Sequence, residues 1–207
     1  MSLVVKEGTK AIPPLEAGVY TATCVGVVDL GEQKNERFKK YQERVLFFFE
    51  IAGEFVDVGE GELKPRWLSK EFTASLNSKS NLTKSLQAWR NQIFTPQEAK
   101  GFDLSQMVGE ACQVQVMLEE KDGKTYNYIQ GLMGLPKGMK LEPPISELII
   151  FDMDDPKAEE ESFPKLPEWV QEKVKKSTQW ARKHQNTEVL DLEIEDDEEE
   201  TGMEIPF

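Results

Sequence analysis

Hydrophobic and polar residues alternate with a period of two from Val19 to Asp29. Val19, Thr21, Thr23, Val25 and Val27 fall on one face, and Tyr20, Ala22, Cys24, Gly26 and Val28 on the other, which predicts a strand. Gly26 within that run predicts a bulge or bend. Arg44 to Ala52 repeats the pattern, with Val45, Phe47, Phe49 and Ile51 on one side and Leu46, Phe48 and Glu50 on the other. Arg66 to Ala74 gives a third strand, and the polar, basic segment from Gly31 to Tyr41 reads as the loop between the first two.

The period then changes. Ser80 is placed to cap a helix whose apolar stripe is Leu82, Leu86, Trp89 and Ile93. Thr95-Pro96-Gln97-Glu98 is a capping box with proline at the first helical position, and Asp103 to Gln106 reads as another short helical turn. Alternation returns from Ala111 to Glu119, with Cys112, Val114, Val116 and Leu118 inward. Asp122-Gly123 then predicts a hairpin turn into a fifth strand, Tyr126 to Met133. Three strands, a helical insertion and a two-stranded hairpin make a mainly β chain. Its order is that of the OB-fold, a five-stranded, partly open barrel with a helix between strands 3 and 4 that binds oligonucleotides or oligosaccharides.

Past Pro136 the strand pattern stops. Pro143-Pro144, Pro156 and Glu159-Glu160-Glu161 mark a linker, and its apolar island, Ile145 to Met153, is expected to lie extended on the barrel. Leu166-Pro167-Glu168 opens an amphipathic helix with Trp169, Val170, Lys173, Val174, Ser177, Trp180 and Ala181 on a common side. The organisation read from the sequence is therefore a barrel over 1–140, a linker packed on or beside it over 141–165, a helix over 166–185 and a disordered acidic tail over 186–207.

Composition narrows the chemistry. The 207 residues include no run of 18 apolar residues, so no transmembrane helix is expected. The start lacks the apolar core of a signal peptide, and two cysteines suit a reduced, cytoplasmic protein. No nucleotide-phosphate, nucleophile-elbow or zinc-protease motif is present, and Asp152, Asp154 and Asp155 sit in the linker without a rigid scaffold, so neither an enzyme nor a cofactor is expected. The net charge of −13 is uneven: residues 1–140 carry 18 basic and 18 acidic side chains, whereas residues 188–207 carry ten acidic and no basic ones. Such a block is an interaction arm.

Three constellations point to nucleic acid. Lys34, Arg37, Phe38, Lys39, Lys40, Tyr41 and Arg44 combine phosphate-neutralising cations with rings for base stacking, in the loop an OB-fold uses to grip its ligand. Phe48 and Trp67 are expected on the outer face of strands 2 and 3, beside Arg66 and Lys70 reaching the rim, with Tyr126 and Tyr128 as further rings. Asp196, Asp197, Glu198, Glu199 and Glu200, followed by Ile205-Pro206-Phe207, form an acidic stretch with an apolar plug suited to a partner's pocket. That tethered polyanion is also expected to compete with DNA for the basic segment.

The tail, together with Phe72-Thr73-Ala74-Ser75-Leu76, Ser80-Asn81-Leu82, Gly101-Phe102-Asp103-Leu104 and Leu135-Pro136-Lys137-Gly138, resembles bacteriophage-encoded single-stranded DNA-binding proteins of the OB-fold type. The resemblance implies a non-catalytic protein, in the cytoplasm of a bacterial host, that coats single-stranded DNA largely without sequence preference. It also implies recruitment of replication or recombination proteins through the tail. The sequence leaves a homo-oligomer open and points to no membrane partner. The alternative is an OB-fold adaptor that binds protein, its tail mimicking nucleic acid.

Overall fold

The computed structural model describes residues 12–35, 39–59 and 61–184. The architecture is mainly β, one largely antiparallel sheet with several helices. β1 (Gly18–Asn35), β2 (Lys40–Asp57) and β3 (Leu63–Thr73) form a meander. α1 (Asn81–Arg90) and two short 3-10 turns follow. β4 (Ala111–Lys121) and β5 (Lys124–Met133) then form the expected hairpin. Its two turn residues, Asp122 and Gly123, have φ of 52° and 72°, the left-handed pair that matches the twist of the flanking strands.

The strand order is β3-β2-β1-β4-β5, and the sheet is not closed: β3 and β5 are its edges, with no backbone hydrogen bond between them among the described residues. Two cations of β3 span the opening instead. Lys70 Nζ donates to the carbonyls of Ile129 and, at 3.1 Å, Gln130 on β5. Arg66 Nη2 donates to the Pro13 carbonyl at 2.6 Å. Two residues on, Leu15 exchanges hydrogen bonds of 2.7 and 2.9 Å with the side chain of Asn127.

Each face of β1 and β2 buries a core. On one side Ala22, Cys24, Val27, Phe47, Phe49 and Val114 pack against Leu82, Leu86 and Trp89 of α1. Ser80 caps α1 as expected, accepting from Thr83 N at 3.0 Å. The helix ends at Asn91, whose left-handed backbone (φ 51°) stops the stripe, so Ile93 lies beyond it and is 77% exposed. The capping box forms as read, with Glu98 accepting from Thr95 N at 2.8 Å, although the helix it starts is a single 3-10 turn. Leu118, expected inward, is exposed where the β4–β5 hairpin runs past the core.

The second core corrects two expectations. A register shift between Cys24 and Gly26, the predicted bulge, breaks strict alternation, so Val25 faces the second core while Val27 faces the first. Phe48, expected outside, is 3% exposed. It lies with Val28, Leu30 and Leu46 beneath residues 141–184, which include β6 (Ile149–Phe151), α2 (Ala158–Glu161) and α3 (Glu168–Lys175). The apolar island does lie extended on the sheet, with β6 pairing parallel to β1. Glu50 fixes its approach by accepting from the Ile145 and Ser146 amides, each at 2.8 Å. The last helix is broken at Ser177, whose hydroxyl accepts from Trp180 N at 3.2 Å to start a second helical run over 178–184. That break takes Ala181 off the common side, and it is exposed.

The Gly31 to Tyr41 segment is not a plain loop. β1 and β2 continue through it as a two-stranded ribbon to the pair Asn35–Lys40. Polar residues carry no core-facing period, so this extension is invisible to alternation. The ribbon is braced at its base: Gln33 Nε2 donates to the Lys173 carbonyl at 2.9 Å and Thr178 Oγ1 to Glu32 at 2.7 Å. Gly31 (φ 63°) allows this contact, because a Cβ there would sit 2.8 Å from that of Ser177. No helix among the described residues is long and apolar enough to cross a membrane.

Candidate nucleic-acid interface

Between β3 and the start of α1 runs an open groove of about 800 Å3. The turn that builds it, Ser75 to Ser80, is rich in small polar residues that bond their own backbone: Ser80 Oγ donates to the Ser75 carbonyl at 2.6 Å, and Asn77 Oδ1 accepts from Lys79 N at 3.0 Å. Four cations line the groove: Arg44, Lys70, Lys79 and Lys84. Its sole carboxylate is Glu71, which is already engaged. Arg44 Nε reaches Glu71 Oε1 at 2.7 Å while Arg44 Nη1 donates to Thr73 Oγ1 at 2.7 Å, and Lys173 Nζ closes on Glu71 Oε2. Burial pushes the Glu71 carboxyl up, but hydrogen bonds and charge from Lys173 and Arg44 outweigh it and hold it below the ordinary value.

The remaining cations have no carboxylate partner among the described residues. Lys79 and Lys84 are exposed and unpaired, and Lys70 bonds only to the two β5 carbonyls. Burial lowers the Lys70 pKa. α1 presents its N-terminal end here through Ser80, Asn81 and Leu82, with no acidic residue in its first turn, so the unpaired amides of that turn add to the positive field. Past Arg44 and Glu71 the groove continues into a smaller cleft of about 230 Å3 lined by Lys34, Gln42 and Lys173. At its other end Gln130 carries it onto β5.

Two exposed rings stand further along β5. Tyr128 and Tyr126, 38% and 48% exposed, pair with Met117 and Glu119 of β4 and point to the same side of the strand, two residues apart. The rings expected on strands 2 and 3 are covered by the chain itself. Trp67 lies 5.3 Å from the Phe48 ring, with Trp169 at 6.2 Å on the same phenylalanine, and the Trp67 indole N–H donates to Ser146 Oγ at 2.8 Å. Arg66 is buried too, and spans the sheet opening.

The structure therefore brings Lys34, Arg44 and Lys70 onto one continuous path leading towards Tyr126 and Tyr128, and takes Phe48, Trp67 and Arg66 off it. Lys39, Lys40 and Tyr41 stand at the end of the ribbon and line neither groove. Arg37, Phe38 and the acidic tail with Phe207 lie outside the described residues. Sequence reading missed Lys79, Lys84 and Lys173. The signal for the first is Asn77-Ser78-Lys79-Ser80-Asn81, a lysine among short polar residues just before a helix, which is how an anion site at a helix start reads. The described residues hold no cluster of three or more histidine, cysteine or acidic side chains able to bind a metal. No family model and no curated protein matches the chain.

Proposed function

We propose that the protein binds single-stranded DNA, with the phosphate backbone in the β3–α1 groove and bases stacked on Tyr128 and Tyr126. The observation that carries this reading is the charge of the groove: four cations against one carboxylate that two cations already neutralise. Cations neutralise phosphates and release counterions, and rings accept any base, so this pairing of groove and platform binds strands without reading sequence. The sheet order fits an OB-fold barrel left open between β3 and β5, a partly open design used for oligonucleotides. Here the outer face of β2 and β3 is occupied by residues 141–184, so the path runs along the open edge instead.

In this reading the role is non-catalytic coating during replication or recombination. Residues 188–207, with ten acidic side chains, serve in this reading to recruit partner proteins. Fluorescence anisotropy of a labelled oligothymidine provides the test. Binding at low salt that falls steeply with rising salt, and is matched by oligomers of mixed sequence, is the expected result. Absence of binding at low salt would overturn the reading in favour of a protein-binding adaptor.

A further inference from the structure

On the other side of Arg44 lies a cleft of about 410 Å3, between the base of the β1–β2 ribbon, β6 and the 3-10 turn Leu104–Met107. Its walls are apolar, from Val27, Val45, Phe102, Leu104 and the half-exposed Ile150. Its rim holds five carboxylates: Asp29, Glu43, Asp103, Asp152 and Asp154. The one cation lining it is Arg44, which is committed to Glu71 and Thr73. The crowding registers on Asp29, whose pKa is raised by burial, against the hydrogen bond from Gly31, and raised further by the charges of Asp152 and Asp154. An apolar slot with an anionic rim is built for a basic segment carrying an aromatic or aliphatic side chain.

We propose that this cleft receives the ribbon tip of a second copy of the chain, so that copies associate head to tail. The tip has the complementary chemistry: Lys39 and Lys40 are exposed for the rim, and Tyr41, 54% exposed, supplies a ring for the apolar wall. Its own cleft is out of reach. The strands stay paired from Asp29–Val45 to Asn35–Lys40, which at about 3.3 Å per residue sets the tip roughly 20 Å from its base. The braces from Lys173 and Thr178 hold that base in place. Donor and acceptor surfaces differ, so the contact is heterologous and propagates as a chain of copies rather than closing into a dimer. Because Arg44 lines both the cleft and the basic groove, a docked ribbon brings its cations alongside the neighbour's groove. On the DNA-binding reading, and only on it, this makes one continuous track and cooperative coating.

Sedimentation velocity of the full chain without DNA tests the association. At low salt the average mass is expected to rise with concentration through a series of species, and to fall back to one chain at about 0.3 M salt as screening sets in. The Lys39→Glu/Lys40→Glu chain and the Glu43→Lys/Asp154→Lys chain are each expected to lose association while keeping the wild-type melting temperature. Neither Glu43 nor Asp154 accepts a side-chain hydrogen bond among the described residues. An equimolar mixture of the Lys39→Glu/Lys40→Glu chain with a Glu43→Lys/Asp152→Lys/Asp154→Lys chain, whose cleft then carries three lysines against Asp29 and Asp103, is expected to associate again, because each offers a tip matched to the other's cleft. A wild-type chain that stays monomeric at low salt, a closed dimer, or a mixture that fails to reassociate would overturn the proposal. Binding of a short oligothymidine, measured on the same samples, separates the outcomes. A wild-type chain that stays monomeric while that binding is intact sinks this inference alone, and wild-type association without that binding sinks the DNA reading alone.

Discussion

The groove between β3 and α1 and the cleft beneath β6 share Arg44 as a wall, yet one is lined by four cations and the other by five carboxylates. Their supports differ as much as their charge. The basic groove is shaped by a turn of small polar residues and by the start of α1, both fastened to the first core. The acidic cleft owes one wall to β6, which is held by its pairing with β1 and by the second core that Ile149 and Phe151 join. Residues 1–140 balance 18 positive against 18 negative side chains, and that zero sum conceals local surfaces of opposite sign, the acidic one completed by Asp152 and Asp154. Net charge is therefore a poor guide to what this body binds; the placement of each charge relative to Arg44 decides it.

Removing the support of one region and not the other should give the largest effect. Phe48 is buried under Trp67 and Trp169, so Phe48→Ala is expected to cost about 3–5 kcal/mol of folding stability through lost burial and the cavity left behind. Below the melting temperature the variant should still bind oligothymidine, since the groove and both tyrosines lie elsewhere. Thermal melts beside anisotropy check this. A large loss of DNA affinity with little change in melting temperature would return Phe48 to the binding face.

The base platform comes next. Tyr128→Ala and Tyr126→Ala are each expected to weaken DNA binding by about 1–3 kcal/mol, the usual value of one stacked base, and to leave stability nearly unchanged because both rings are exposed. A smaller step follows for the phosphates. Lys79→Ala with Lys84→Ala should lower affinity for every sequence alike and flatten the slope of log affinity against log salt by up to about 1.4, two single-strand phosphate contacts. Lys39→Ala with Lys40→Ala, off the groove, should leave that slope unchanged on a short oligomer. A slope altered by the ribbon pair and not by the groove pair would move the DNA path to the ribbon.

Much of the fold was legible because the information was local. Alternation located five strands, Ser80 and the capping box started helices where they form, and Gly26 marked a real bulge. Alternation assigns a residue to a face but does not say what later chain covers that face. Phe48 was thus placed outside correctly with respect to the first core and wrongly with respect to solvent, while Trp67 is partly buried against the same second core. The ribbon was missed because Glu32, Gln33 and Lys34 are polar and leave no hydrophobic period. Of the path proposed for DNA, Lys34, Arg44, Lys70 and the two tyrosines were visible from residue type. Lys79 stood in a readable motif before α1 that was passed over, whereas Lys84 and Lys173 were not visible, because only the tertiary fold sets them beside Glu71.

The subtlest contrast between the two regions is in how each responds to acid. Glu71 in the basic groove has its carboxyl held below the ordinary value, because Lys173 and Arg44 outweigh the opposing effect of burial. The folded state therefore releases the Glu71 proton more readily than the unfolded chain. Its stabilisation is complete above the ordinary carboxylate pKa and is lost as pH falls through the lower folded value. Asp29 in the acidic cleft has the opposite sign: burial, reinforced by Asp152 and Asp154, raises its pKa, so its contribution favours folding at low pH and disappears as pH rises through the folded value. Melting temperatures measured from about pH 3 to about pH 6 should separate them. Glu71→Gln should be less stable than wild type near the upper end and lose less on acidification, while Asp29→Asn should gain on wild type as pH rises. Both side chains keep some contact with solvent, so these shifts are small, on the order of 1 kcal/mol or less. If Glu71→Gln and Asp29→Asn change the pH profile in the same direction, the electrostatic contrast across Arg44 is wrong, whatever either surface binds.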